Sequence, residues 1–534
     1  MDLVKNAQCA LTKLGMAATP WAMQGAMLKD GTMNADCLVA MEKVALADPD
    51  RPFLLLPDGA TVTYGGLLAK TGQYANALAT LGIVKGDRVA LQVAKCPEAL
   101  VLYLACLRIG AAFLPLNPAY TPTETLYFLN DAETGLFLCD PHRLPEMARP
   151  GVPGRMMALS GDDDSFATLA ARQGTDRIDP AFSSSDLAAI LYTSGTTGRS
   201  KGVMLTRNNL SSNAAALRET WAFTAKDVVL HALPIFHTHG LFVATNTAIV
   251  SGAAMIFLPD FNVETVLSFL PQASVMMGVP TYYTRLLGNP GLSRAVCSYV
   301  RLFISGSAPL SAVTHAEWLA RTGHAILERY GMTETNMLTS NPYRGDRRAG
   351  TVGMPLPGVE IRVVSPTTGT SISHGEIGEI EVRGPNVFSA YWRSPEKTAA
   401  EFRSDGFFRT GDMGAFDADG YLRIVGRSKD LVISGGLNVY PAEVEAALDD
   451  LPGVAASAVI GVPHPDFGEA VLALVVARPD ANLVGEDMRA ALRKVLANYK
   501  LPKQVLVVPD LPRNALGKVQ KNVLRVQYRD QFPA

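Results

Sequence analysis

From residue 38 onward, short apolar strand-like runs alternate with helical runs, and this alternation narrows the fold more than any other feature of the chain. Residues 61–64 read as a strand and 65–81 as an amphipathic helix. Residues 88–94 form a strand, 97–109 a helix and 111–116 a strand again. Such an order predicts βαβ units and a largely parallel sheet with helices packed on its faces. A second block over residues 187–352 repeats the pattern, with strand-like runs at 228–233, 254–258, 274–279 and 302–305 and a helix-like run at 239–250. Between 358 and 424 the texture changes: 360–364, 378–383 and 421–425 are separated by Gly, Pro and Asp, which predicts antiparallel structure folded as a small barrel. Residues 429–534 carry a fresh mix of strands and helices, long enough for a separate small domain. The expected class is α/β. A large N-terminal domain, residues 38–428, holds two doubly wound subdomains plus the small β-barrel; a smaller α+β C-terminal domain spans 429–534, and residues 1–37 form an extension.

Composition excludes several functions. The 48 basic residues are balanced by 50 acidic ones, so no clustered basic excess marks a nucleic-acid surface. No apolar stretch reaches the ~20 residues a membrane span needs. Six cysteines are present without a CxxC pair, which argues against zinc or dithiol chemistry and suits a reducing compartment. Residues 1–23 contain no arginine and no long apolar run, favouring a cytoplasmic protein with a short extension; mitochondrial import is the alternative. The oligomeric state, monomer or homodimer, stays open.

Between the strand-like runs 188–191 and 203–205 lies a stretch no core can hold: Thr193-Ser194-Gly195-Thr196-Thr197-Gly198-Arg199-Ser200-Lys201. Closely spaced Gly, Ser and Thr let backbone N–H groups and hydroxyls converge on a phosphate, and Lys201 adds positive charge. The order is not that of a Walker A loop, because Ser200 precedes Lys201 and no helix follows.

This loop resembles the phosphate-loop signature of the adenylate-forming enzymes, the superfamily of acyl-CoA synthetases, luciferases and peptide-synthetase adenylation domains. Four further motifs stand in the family's order: Tyr330-Gly331-Met332-Thr333-Glu334-Thr335; Thr410-Gly411-Asp412; Gly426-Arg427-Ser428-Lys429-Asp430 with Ser434-Gly435-Gly436; and Asn514-Ala515-Leu516-Gly517-Lys518. The resemblance implies ATP, Mg²⁺ and CoA as partners and a C-terminal lid that swings between two half-reactions. It places the loop on the triphosphate, Tyr330 on adenine with Gly331 and Met332 beside it, Thr333 on the α-phosphate and Glu334 on Mg²⁺, a hard cation that prefers oxygen donors. Asp412 and Arg427 would hold the ribose. Lys518 would bridge the substrate carboxylate and the α-phosphate, and acetylation there would remove its charge. Lys429 matches the hinge, and Gly435 and Gly436 would line the pantetheine tunnel.

The acid must be chosen by its pocket. A fatty acid needs an apolar tunnel, whereas a short dicarboxylate needs a fixed cation, because a buried unpaired charge is costly. Arg285, in the predicted helix start Pro280-Thr281-Tyr282-Tyr283-Thr284-Arg285, is the candidate cation, with a snorkelling surface arginine as the alternative. His237, Ser305 and Ser307 are further polar groups in apolar surroundings. Across HALPIFHTHGLFVATN, MGVPTYYTRLL, RLFISGSAPL and GHAILERYGMTETNM the chain resembles the malonyl-CoA synthetase group, which joins malonate or methylmalonate to CoA. That resemblance implies that Arg285 meets the distal carboxylate. Leu338 departs from it, standing near the expected nucleotide where a polar residue belongs. The competing readings are a medium- or long-chain fatty acyl-CoA ligase, an adenylation domain serving a separate carrier protein, and a non-catalytic nucleotide sensor.

Overall fold

The computed structural model describes residues 36–148, 151–175, 182–193, 200–434, 437–465, 467–514 and 517–532. The extension predicted at the N-terminus lies almost wholly outside them. Two large sheets organise the first part of the chain. One has seven strands in the order Ala390–Tyr391, Lys201–Thr206, Leu187–Thr193, Ala112–Pro115, Arg88–Gln92, Leu136–Cys139 and Arg155–Ala158. The other has nine, running Met354–Pro355, Asn336–Ser340, Leu327–Met332, Leu302–Ser305, Val275–Gly278, Val228–His231, Ala254–Phe257, Pro52–Leu55 and Thr61–Thr63. The central pairs of both are parallel, as the βαβ alternation requires.

The two sequence blocks do not map one to one onto the two sheets. Pro52–Leu55 and Thr61–Thr63, from the first block, pair into the nine-stranded sheet. Leu187–Thr193 and Lys201–Thr206, from the second, pair into the seven-stranded one. Strand-like runs reveal their own period but not their partners.

The helices begin and end where their sequences direct. Pro97 starts the helix Pro97–Ile109, and Gly110 ends it in the left-handed region at φ 75°. This helix is buried from Ala99 to Ile109 and apolar there except for Arg108, which pairs with Glu42, as expected of a core helix. Its Tyr103 touches Phe113 of one sheet and Phe242 of the helical segment packed on the other. Thr206 caps the helix Arg207–Thr220 with a reciprocal Thr206–Asn209 pair. Residues 239–250, expected as one helix, form a π-helix over His239–Asn246 followed by an α-helix over Thr247–Ser251. Single π turns mark functional sites in many folds.

The predicted barrel is a four-stranded antiparallel sheet, Glu360–Val364, Gly378–Arg383, Phe408–Phe416 and Leu422–Arg427, with the first and last strands at its edges. Four strands are too few to supply the tilt and stagger that closure demands. The C-terminal domain holds a five-stranded sheet in which Gly468–Ala477 pairs with Val454–His464, Val432–Ser434 and Gln504–Val507. Apolar clusters cover both its faces, one around Val459, Val471 and Leu492 and the other around Ile460, Leu472 and Leu511. No helix among the described residues is long and apolar enough to cross a membrane.

Candidate active site

The phosphate-loop residues Ser194, Gly195, Thr196, Thr197 and Gly198 lie outside the described residues, as do Gly435 and Gly436. The flanks of the loop are well placed: Thr193 and Lys201 are partners at the end of an antiparallel pair, so the loop closes a hairpin and no helix can follow it. The Lys201 ammonium bonds Glu401 Oε1 at 2.5 Å and sits 4.4 Å from the centre of the Tyr391 ring.

The second motif forms a tight hairpin between Leu327–Met332 and Asn336–Ser340. Gly331 is required there, because a Cβ at this position would overlap the Asn336 carbonyl. Thr333 is half-buried at the turn, while Glu334 is 6% exposed and its pKa is raised by burial. Tyr391 Oη donates to Glu334 Oε1 at 3.1 Å, and among the described residues Glu334 has no ion-pair partner. A buried carboxylate without a cation is a donor set that fits a hard divalent ion. Tyr330 donates its phenolic proton to Asp412, whose other oxygen accepts from Arg427 Nε at 2.9 Å. Asp412 and Arg427 are register partners on adjacent strands, so the sheet itself fixes this pair.

Lys518 reaches the same place from the C-terminal domain. It stands at the solvent-open cleft beside a tight turn in which Gly517 adopts φ 76° and lies against Thr281. Desolvation by the surrounding protein, then the charge of Arg427, lowers its pKa to about 8, and Arg329 also acts on it. His237 falls to about 3, through burial first and then the charges of Lys518 and Arg329. It is therefore neutral across the physiological range. Its Nδ1 accepts from the His239 backbone N–H at 3.2 Å.

Sequence reasoning missed Arg329, the residue just before Tyr330. It is 4% exposed, and its Nε and Nη2 have no hydrogen-bond partner among the described residues. Its guanidinium lies where a Cβ on Gly306 would be, so only glycine fits there. Burial lowers even its pKa, to about 9. Around it are other unused polar atoms: Ser305 Oγ and His239 Nε2 are buried and unpartnered among the described residues. Ser307, at φ 73°, approaches His239 Nδ1 at 3.4 Å. The usable signals were the Arg-Tyr pair on one strand, whose side chains point to opposite faces, and the His-x-His spacing of 237 and 239.

Arg285 is not that buried cation. The helix Pro280–Leu287 starts where expected but turns Tyr283 and Leu286 inward, leaving Thr284 and Arg285 exposed. Arg285 instead lines an open groove with Phe261, Asn262, Glu264 and Asn289. Leu338 is fully buried in the main core, which is why it is apolar. Lys429 is exposed, in the single turn Ser428–Asp430 that links the four-stranded sheet to the C-terminal one.

Two αβ sheets, an antiparallel sheet and a small C-terminal domain converge on a cleft that gathers a loop lysine, a buried carboxylate, an Asp–Arg pair and a lid lysine. That combination defines a nucleotide-dependent enzyme with a two-part active site. The chain belongs to the AMP-binding enzyme family: it matches that family over residues 41–392 and the AMP-binding enzyme C-terminal domain over residues 443–518. Among solved structures it is similar to ATP-bound MatB from Rhodopseudomonas palustris, with 52% identity and a TM-score of 0.89, covering 94% of this chain and 100% of that one. It is 34% identical to malonate–CoA ligase of Arabidopsis thaliana over 89% of this chain and 86% of that protein. It is also 36% identical to a feruloyl-CoA synthase of Amycolatopsis, over 88% of this chain and 94% of that protein. At the level of these curated relatives, identity alone does not select the acid.

Proposed function

We propose that the protein is a malonate–CoA ligase. It would adenylate malonate (or methylmalonate) with ATP, releasing pyrophosphate, and then transfer the malonyl group to CoA, releasing AMP. The observation that carries this reading is Arg329, a buried guanidinium with unused donors whose charge, like that of Lys518, acts on His237. Leaving such a charge unpaired costs several kcal/mol, and the second carboxylate of a short diacid would remove that cost. A long acyl chain would have to pass the same cation, which counts against a fatty acyl-CoA ligase.

The remaining roles extend the same reading. Lys201 and the loop before it take the triphosphate. The Tyr330 ring, its hydroxyl held by Asp412, offers a face to adenine, with Gly331 and Met332 alongside, and Thr333 reaches the α-phosphate. Asp412 and Arg427 meet the ribose hydroxyls. Glu334 would hold Mg²⁺, which supplies charge neutralisation at the phosphates when bound. Lys518 brings positive charge to the attacking carboxylate and the α-phosphate, the place where negative charge grows. His237, His239, Ser305 and Ser307 line the acid's path. Rotation about Lys429 would withdraw Lys518 and bring the segment of Gly435 and Gly436 to the thiol's route.

The direct test is product formation. With ATP, Mg²⁺, CoA and malonate the purified protein is expected to yield malonyl-CoA and AMP in equal amounts; faster turnover of palmitate would sink the assignment. A pH dependence also follows. Lys518 works only as the ammonium, and its pKa is lowered to about 8. The kcat/KM of pyrophosphate exchange is therefore level below pH 8 and falls about tenfold per unit well above it, since kcat/KM reports the free enzyme. A fall beginning only near pH 10 would contradict that role.

A further inference from the structure

One short segment joins the two halves of the nucleotide site, and no motif marked it. Ala390–Tyr391 pairs antiparallel with Lys201–Thr206, the strand that leaves the phosphate loop, and the Trp392 N–H bonds the Gly202 carbonyl at 2.7 Å. Four residues before Trp392, the Phe388 N–H bonds the Glu334 carbonyl, also at 2.7 Å. The segment thus spans from the seven-stranded sheet to the hairpin of the nine-stranded one.

Tyr391 stands at the junction, 3% exposed. Its hydroxyl lies 3.1 Å from Glu334 Oε1 and 2.6 Å from Glu401 Oε2. Glu401 is in turn paired with Lys201, whose ammonium covers the Tyr391 ring. The ring also packs on Phe388, with centroids 4.8 Å apart. Held this way, the phenol has little freedom, and its oxygen is a fixed point against which the Glu334 carboxylate is set. Glu334 has no other side-chain hydrogen-bond donor among the described residues.

We propose that Tyr391 is a positioning residue for metal binding: its hydroxyl has one proton to give, and because Lys201 already neutralises Glu401 that proton goes to Glu334 and orients its carboxylate toward the divalent ion that accompanies ATP. The inference rests on the reading of Glu334 as the metal's carboxylate. A carboxylate that rotates freely must be ordered each time the ion arrives, and groups that orient a metal ligand contribute about 10- to 100-fold in metal affinity. Tyr391→Phe removes the oxygen and keeps every ring contact, so the cation over the ring and the packing on Phe388 survive.

The test needs neither acid nor CoA, so it does not depend on which substrate the enzyme takes. Mn²⁺ replaces Mg²⁺, and its binding with ATP is followed by electron paramagnetic resonance; ATP binding in EDTA is measured separately by calorimetry. Tyr391→Phe is expected to weaken Mn²⁺–ATP binding about 10- to 100-fold while leaving metal-free ATP binding within about twofold. In a Glu334→Gln background the same substitution should add less than about twofold, because the two residues act through one contact. An equal loss in both backgrounds would show that Tyr391 acts elsewhere and overturn the proposal. Unchanged Mn²⁺ binding in Tyr391→Phe, with Glu334→Gln weakened, would overturn it too and leave the metal assignment standing. Unchanged binding in Glu334→Gln would remove the metal assignment and the proposal together.

Discussion

Lys518→Ala is expected to lower the rate of malonyl-adenylate formation by about 100- to 1,000-fold while leaving the second half-reaction close to normal. The ammonium is a positive group that the C-terminal domain brings next to Arg427 and Arg329. Two anions, a carboxylate and a triphosphate, must approach there, and the charge between them grows as the bond forms. A preorganised cation at that point stabilises the transition state more than the ground state, so its loss is felt in kcat. Once the anhydride exists, attack by a thiol needs no such charge, and in the proposed cycle the lid that carries Lys518 would have moved away. Single-turnover assays separate the steps. Pyrophosphate exchange should collapse in Lys518→Ala, whereas malonyl-AMP supplied with CoA should still give malonyl-CoA at nearly the wild-type rate. Equal losses in both steps would mean that Lys518 supports the lid and not the chemistry.

The second large effect is expected at Arg329. Replacing it by methionine keeps much of the volume and removes the charge. The cost of breaking a buried, hydrogen-bonded charge pair is about 2–5 kcal/mol, so kcat/KM for malonate should fall by about 30-fold or more. The KM for ATP should change little, since Tyr330, Asp412 and Arg427 hold each other independently of Arg329. The free protein should gain stability, because an unpaired buried guanidinium is exchanged for an apolar side chain. Arg285→Ala provides the contrast. That side chain is exposed on an open groove, so its loss should cost less than the loss of Arg329 by at least about tenfold.

Much of the framework was legible because short-range periodicity dictated it. The helix 97–109 and the strands 302–305, 360–364 and 378–383 stand where the apolar pattern put them. Proline and glycine punctuation marked their ends. The exchange of strands between the two sheets was not legible, since pairing is a long-range choice that a single strand does not encode. The same holds for the four-stranded sheet read as a barrel. In the site, Glu334, Asp412, Arg427 and Lys518 converge from separate motifs on one cleft. The cation proposed for the second carboxylate, Arg329, stands on a strand, whereas the sequence pointed to the helix of Arg285. The sequence left Arg285 as either a pocket cation or a snorkelling surface arginine, and the helix phase that buries Tyr283 and Leu286 turns residue 285 outward. Arg329 was hidden beside a more familiar tyrosine, on the opposite face of the same strand. Tyr391 and Glu401 carry no motif at all; only the tertiary structure brings them to Glu334 and Lys201.

The account turns on a guanidinium that waits, unpaired, for the far end of a short diacid. Pyrophosphate exchange with malonate and with butyrate, a monoacid of similar bulk, run side by side on the natural protein and on Arg329→Met, tests this most directly. The natural protein should prefer malonate by about 30-fold or more, and the variant should lose that preference or reverse it. A preference for malonate that survives the loss of Arg329 undiminished would contradict the account.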